Sequence, residues 1–181
     1  MNPNFSILKR NVFGFLCALS VLVVPGFYLS GCHPAALIVP SYIQSVGVET
    51  VQNQTSYYGL ETALTQATIR QFQVDGRLPL DTPDKSDMVV KVIIKRYVEE
   101  PILYDPKTNY VLQYRLSIVY DLASVDQKER KTFSEDSERT QSVFYYTPQY
   151  NGAATETKEQ AQARLEDDTS RAIVRRVLEG Y

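Results

Sequence analysis

Residues 110–122 read YVLQYRLSIVYDL, and this stretch decides the fold. Every second residue from Tyr110 to Leu122 is apolar or aromatic, and most residues between them are polar, including Arg115 and Asp121. Such alternation is typical of an antiparallel strand that buries one face and leaves the other in a polar environment. The stretch therefore predicts a long strand in a half-buried sheet.

Other segments of the chain add strands to this sheet. Met88–Arg96 alternates in the same way, and a shorter alternating run at Ser45–Val51 predicts the first strand. Thr132–Tyr146 is a more polar strand, which suggests either an edge position or a face that meets a wet environment. Arg77–Leu80 could add a short strand. We expect loops at 99–109, where Pro101 and Pro106 interrupt the pattern, and at 123–131, which is charged.

Two segments have helical periodicity. Gly59–Val74 places Leu60, Leu64, Ala67 and Val74 on one side with Phe72 at the margin, and Gly76 supplies a stop. Thr157–Leu178 begins with a capping box formed by Thr157 and Gln160 and has an inner stripe of Leu165, Thr169, Ile173 and Val177. The order of elements predicts an α+β fold, with two helices on one face of a mainly antiparallel sheet of about four strands.

The N-terminal segment has the layout of a secretory signal peptide. Lys9-Arg10 precedes an apolar run from Val12 to Leu29, and Ser30-Gly31 stands directly before Cys32. This ending resembles a bacterial lipobox, in which the Cys32 sulfur receives diacylglycerol and cleavage makes Cys32 the new N-terminus, which is then acylated, typically with palmitate. The alternative is an uncleaved transmembrane anchor, which Pro25-Gly26 disfavours. We expect a signal peptide at 1–31, a lipid-anchored tether at 32–44 and one domain at 45–181.

Composition excludes several classes of protein. Without Lys9 and Arg10 the chain has 17 basic and 21 acidic residues, a net charge of −4, which argues against a nucleic-acid partner. The expected domain contains no cysteine, and the only histidine is His33 in the tether, so we expect no zinc site, no Cys–His nucleophile and no cofactor. The acidic clusters Glu99-Glu100, Glu135-Asp136 and Glu166-Asp167-Asp168 are typical of solvated surfaces. A non-enzyme is therefore predicted.

Several segments together resemble the LptE family of lipoproteins that assemble lipopolysaccharide at the outer membrane. They are Val46-Gly47-Val48, the helix GLETALTQATIRQF followed by VDGRL, the strand end YRLSIVYDL and the terminal IVRRVLEGY, in addition to the lipobox. The resemblance covers roughly residues 38–181. Thr68 and Thr169 depart from it, because helices of the family more often have larger apolar residues there.

The resemblance implies a non-enzymatic role. Family members plug a large outer-membrane β-barrel, LptD, help it to assemble, and contact lipopolysaccharide through basic residues on loops at one end of the sheet. The candidates for that contact here are Lys107, Lys128, Arg130 and Lys131. His33 directly after Cys32, where inner-membrane lipoproteins tend to have Asp, implies a lipid-anchored protein of the outer membrane, facing the periplasm or inside the barrel lumen. The alternative is an envelope-associated lipoprotein of similar fold with another protein partner.

Overall fold

The structure, a computed structural model, describes residues 38–150 and 156–179. The predicted signal peptide, Cys32 and the beginning of the tether lie outside the described residues. The elements, in chain order, are β1 (Val46–Val48), β2 (Gln52–Asn53), α1 (Leu60–Asp75), β3 (Met88–Tyr104), β4 (Val111–Asp126), β5 (Lys131–Tyr146) and α2 (Lys158–Glu179).

The strands form one mainly antiparallel sheet in the order β1-β3-β4-β5, and β2 also pairs with β3. β3, β4 and β5 are joined by hairpins, whereas β1 and β2 lie parallel to β3. The α+β class is confirmed, and the polar strand β5 lies at an edge as its composition predicts. Arg77–Leu80 contributes a single bridge from Leu80 to Val46 rather than a strand.

One face of the sheet packs against both helices. The alternating side chains of β3 and β4, including Val92, Leu116 and Tyr120, are almost completely buried and share one core with Leu64 of α1 and Leu165 of α2. The buried side predicted for β3 and β4 is therefore confirmed. We call the opposite side of the sheet the outer face.

The two threonines that depart from the family pattern lie in this core. Thr68 and Thr169 are fully buried, and each hydroxyl donates to the backbone carbonyl four residues earlier, on Leu64 at 2.8 Å and on Leu165 at 2.6 Å. These bonds satisfy both hydroxyls within their own helices. A small polar residue is therefore accommodated in the core at both positions.

The first helix ends differently from the prediction. Phe72 of α1 is buried, whereas 80% of Val74 is exposed. The inner stripe of α1 therefore contains Phe72 and does not contain Val74. Val74 lies one residue before the end of α1, and the chain then turns at Gly76, which has φ of 68° and donates its N–H to the Phe72 carbonyl. The second helix follows the prediction: the Thr157 N–H donates to Gln160 Oε1 at 3.0 Å, and the Gln160 N–H donates to Thr157 Oγ1 at 3.2 Å.

Both loops predicted between the long strands are shorter than expected. β3 continues through Pro101 to Tyr104, and β4 continues to Asp126, so the turns occupy only 105–110 and 127–130. Pro101 is tolerated because β2 pairs with β3 only as far as Ile94, which leaves the rest of β3 as an edge strand where a missing N–H costs little. We call these the first and second hairpin turns.

Candidate functional site

The candidate basic residues lie at opposite ends of the sheet. Lys107 is in the first hairpin turn, whereas Lys128, Arg130 and Lys131 are in or directly after the second. β4 connects the two turns and has 16 residues, which at 3.4 Å per residue separates them by about 50 Å. The four residues therefore form two groups, and one loop cluster can contain only one of them.

The first hairpin turn presents an exposed lysine among exposed apolar side chains. Asp105 Oδ1 accepts the backbone N–H groups of Lys107 at 2.7 Å and Thr108 at 2.8 Å, which fixes the turn. No described residue pairs with the Lys107 ammonium. The strand ends beside it expose 40–62% of four large apolar or aromatic side chains: Ile102, Leu103, Tyr104 and Tyr110.

In the second hairpin turn, Lys128 has a structural role. Its ammonium lies 2.9 Å from Asp87 Oδ1 and donates to the Tyr42 carbonyl at 2.8 Å. Asp87 Oδ2 also accepts the backbone N–H of Gln44 at 2.7 Å. The lysine thereby joins the turn to residues 42–44, and its ion pair holds the pKa of the Asp87 carboxyl below its usual range.

Asp126 completes this junction. Its Oδ1 accepts the N–H groups of Lys128 and Glu129 at 2.8 and 3.0 Å, and its Oδ2 accepts the Tyr42 hydroxyl at 2.6 Å. That hydrogen bond lowers the pKa of Asp126 and raises the pKa of Tyr42 to about 12. Arg130 and Lys131 remain exposed, but Glu129, Asp126 and Asp87 lie in or beside the turn, so the basic cluster in the sequence does not form a strongly basic surface.

The outer face of the sheet is the face that neither helix covers. Residues directly opposite each other in the ladders share a face, which places Val98, Ser117 and Ser142 in one row and Arg96, Val119 and Thr140 in the next. Four ion pairs neutralise charges on or beside this face: Lys91–Glu49, Lys95–Asp121, Arg96–Glu138 and Arg115–Glu100. Hydroxyl groups and valines occupy the space between them.

Irregularities in three neighbouring strands meet on this face. The register shifts between Ile94 and Arg96 in β3 and, in the β4–β5 ladder, between Tyr120 and Leu122, where Glu138 of β5 has φ of 53°. Asp121 connects them, because it lies 3.2 Å from Lys95 Nζ and accepts the Glu138 N–H at 2.9 Å. β-Bulges bend strands and increase twist. The sequence contained no local signal for this junction, since it depends on which strands pair.

The acidic clusters are largely neutralised by basic partners. Glu99 pairs with Lys158, Glu100 with Arg115 and Asp136 with Arg176, while Asp167 and Asp168 both pair with Arg171. Within residues 38–150 and 156–179, no three acidic, histidine or cysteine side chains converge as metal ligands would. In the same part of the chain, no helix is both long and apolar enough to cross a membrane.

Comparison with known proteins identifies the family. The sequence model of LptE, described as lipopolysaccharide-assembly, matches residues 43–179. This chain belongs to the LptE family. The match includes both helices and all five strands, and the basic residues of both hairpin turns lie inside it, whereas Cys32 lies before it. No curated protein matches the chain.

Solved structures share the fold at low sequence identity. A hypothetical protein from Chlamydia trachomatis is 15% identical with a TM-score of 0.52, and the alignment covers 77% of this chain and 97% of that one. The rare lipoprotein B from Shewanella oneidensis is 14% identical with a TM-score of 0.46, covering 72% and 91%. A minor lipoprotein from Acinetobacter baumannii is 16% identical with a TM-score of 0.44, covering 75% and 91%. The first of these likenesses supports the two-layer architecture and nothing further.

Proposed function

We propose that this protein is a non-enzymatic outer-membrane lipoprotein that plugs an LptD-type β-barrel, helps it to assemble and assists lipopolysaccharide delivery to the cell surface. Membership of the LptE family supports the lipopolysaccharide-assembly role. In this proposal, Cys32 carries the lipid that anchors the domain, so that the domain faces the periplasm or occupies the barrel lumen.

The observation that carries the plug role is the outer face of the sheet. The interior of a large barrel is polar and wet, so a plug needs a surface that is neither strongly charged nor a large apolar patch. The outer face meets this requirement because four ion pairs neutralise its charges, while Ser117, Thr140 and Ser142 offer hydroxyl groups.

The sheet edges are poorly suited to bind a partner strand. β5 has a register shift and a positive φ at Glu138, and the unpaired part of β3 contains Pro101 and two further register shifts. Bulges, charges and proline at edges prevent strand addition. The barrel would therefore contact the outer face rather than extend the sheet.

The first hairpin turn is a better candidate than the second for the site that contacts lipopolysaccharide. An amphiphile with phosphate groups and acyl chains requires a cation beside apolar side chains, and Lys107 lies beside exposed Leu103, Tyr104 and Tyr110. In the second hairpin turn, Lys128 is already paired with Asp87, which leaves Arg130 and Lys131 as weaker candidates. We expect Lys107→Glu to weaken binding of purified lipopolysaccharide more than the double variant Arg130→Glu/Lys131→Glu. The opposite ranking would transfer the proposed contact to the second turn.

The plug role is tested by isolating the lipidated protein from membranes in mild detergent. We expect a β-barrel to co-purify in equal amount with the wild type. Ser117→Arg should abolish co-purification, because it places a long unpaired cation in the centre of the outer face. Gln73→Arg on the exposed side of α1 is the matched control, and both variants should retain the wild-type melting temperature. Co-purification of a different partner in equal amount would favour the alternative envelope-associated lipoprotein. Equal effects of the two variants would exclude the outer face as the surface that contacts the barrel.

A further inference from the structure

The β3–β4 hairpin projects beyond the part of the sheet that the helices cover. We call residues 100–115 the hairpin arm. Between Pro101 and Tyr110 every residue except the half-buried Asp105 is exposed, and residues 111–115 of β4 are only half-buried. The arm pairs with β5 only at its base, through residues 113–115, and the pairing of β2 with β3 ends at Ile94. Its attachment to the body therefore depends on contacts at its root.

Glu99 makes those contacts at the position where the arm leaves the body. Its Oε1 accepts the Tyr145 hydroxyl of β5 at 2.5 Å, and its Oε2 forms an ion pair with Lys158 in the first turn of α2. Burial raises the pKa of the Glu99 carboxyl, but the hydrogen bonds from Lys158 and Tyr145 outweigh it, and the pKa lies below its usual range. One carboxylate thus connects β3, β5 and α2.

Aromatic rings surround this carboxylate. Tyr145 stacks on Tyr114 of the arm with ring centroids 5.4 Å apart, and the Lys158 ammonium lies 5.7 Å from the ring centroid of Tyr57. Tyr57 in turn lies 4.6 Å from Tyr97, centroid to centroid, which adds the loop before α1 to the cluster. The root of the arm is therefore held by side chains from every neighbouring element.

The same junction contains an unsatisfied polar group. The Tyr97 hydroxyl is buried and has no hydrogen-bond partner among the described residues. Burial raises the pKa of the Tyr97 hydroxyl, and burial also raises the pKa of the half-buried Glu166 carboxyl in α2. A buried hydroxyl without a partner costs free energy that is recovered when water reaches it. Exposure of this hydroxyl to water therefore offsets part of the cost of opening the junction, and the Glu99 contacts oppose that opening.

We propose that Glu99 is a latch that holds the hairpin arm in a fixed position against α2, and that its release lets the arm move while the rest of the domain stays folded. This proposal depends only on the geometry of the junction and is independent of the proposed function. Because Lys107 lies at the tip of the arm, the latch also determines where that lysine is presented.

Glu100 provides a matched control for Glu99. The two carboxylates are adjacent in β3, and each pairs with a basic residue, but the partner of Glu100 is Arg115, which belongs to the arm itself. Loss of the Glu100 pair therefore removes an ion pair within the arm without disconnecting the arm from α2. Comparison of Glu99→Gln with Glu100→Gln separates the latch from a general effect of removing a charge.

Amide hydrogen exchange on the purified protein tests the latch, because it measures local opening segment by segment. We expect Glu99→Gln to increase exchange of residues 100–104 and 111–115 by about tenfold, with exchange at 88–94 and 121–126 unchanged. Lys158→Met should have the same effect, and the double variant should add little to either single change. Glu100→Gln should leave the pattern of the wild type.

Three results would overturn the proposal. Equal exchange patterns in Glu99→Gln and Glu100→Gln would show that the bridge to α2 does not hold the arm. Faster exchange throughout the domain, together with a lower melting temperature, would make Glu99 a general stability residue. Additive effects of Glu99→Gln and Lys158→Met would show that the two side chains do not act together.

Discussion

The Lys128 ammonium lies 2.9 Å from Asp87 Oδ1 and also donates to the Tyr42 carbonyl. This pair closes one end of the sheet, because Asp87 precedes β3, Lys128 follows β4 and Tyr42 precedes β1. A lysine in a charged turn would ordinarily be solvated, and its neighbours Arg130 and Lys131 are. Because Lys128 is held by these contacts, its replacement is the one in this turn that we expect to affect stability.

We expect Lys128→Met to lower the free energy of unfolding by about 0.5–1 kcal/mol, since the lysine is half-exposed and such pairs contribute modestly. Urea denaturation of the domain measures this change. Lys85→Met, in an exposed loop nearby, should have no effect. Equal stabilities of the two variants would contradict a structural role for Lys128.

Substitutions at Leu116 and Ser117 test which side of β4 is buried. Leu116 is completely buried, so Leu116→Asp places a charge in the core and should cost several kcal/mol. Ser117 lies on the outer face, and Ser117→Asp should change the melting temperature of the isolated domain little. A larger loss of stability for Ser117→Asp than for Leu116→Asp would mean that the buried and outer faces are assigned the wrong way round.

Gly47 in β1 has no room for a side chain. A Cβ atom there would lie 2.6 Å from Ser86 Oγ and 2.7 Å from the Pro83 Cα, and the proline backbone cannot move aside easily. We expect Gly47→Ala to cost about 1–3 kcal/mol. Chemical denaturation should show this loss, whereas exposed Thr50→Ala, three residues along, should remain close to the wild type. A wild-type midpoint for Gly47→Ala would mean that the 81–87 loop packs less closely on β1.

Asp136 should make the stability of the domain depend on pH. Arg176 of α2 donates to both carboxylate oxygens, at 2.6 and 3.0 Å, and holds the pKa of Asp136 below its usual range. A carboxyl whose pKa is lower in the folded state stabilises fully above its unfolded pKa of about 4, and this contribution is lost as the pH falls through the folded pKa.

We therefore expect Asp136→Asn to lower the free energy of unfolding by about 1–3 kcal/mol at neutral pH, with a difference from the wild type that shrinks below about pH 4. Denaturation series at several pH values measure both quantities, and exposed Asp84→Asn is the control. A difference that stays constant through the acidic range would show that the charge of Asp136 is not responsible.

Cys32→Ala tests the predicted anchor. We expect labelled palmitate to be incorporated into the wild type and not into the variant, which should keep its signal sequence, because the lipoprotein peptidase acts on the lipidated cysteine. The measurement is metabolic labelling followed by immunoprecipitation. Cys17→Ala, inside the predicted signal peptide, is the control and should label normally. Labelling of the Cys32 variant would exclude the lipobox.

Local sequence was sufficient to predict both helices, the three long strands and the buried side of β3 and β4. It failed where the outcome depended on neighbours. Val74 fits the apolar stripe of α1 by spacing but lies just before the turn at Gly76, and Pro101 breaks the strand pattern by type yet lies in a strand. The position of the candidate basic residues in two separate turns could be predicted, but the contacts of Lys128 with Asp87 and Tyr42 could not.

The sequence by itself determined the two helices, the long strands and most of the core of this protein, because periodicity of two or 3.6 residues specifies which side chains share a face. Only the tertiary structure decided which charged residues form hydrogen bonds or ion pairs with distant parts of the chain. Lys128 and Tyr42 are 86 positions apart, and Glu99 and Lys158 are 59 apart. Their contacts depend on strand order, bulges and helix packing, which bring distant segments together and leave no trace in the local pattern.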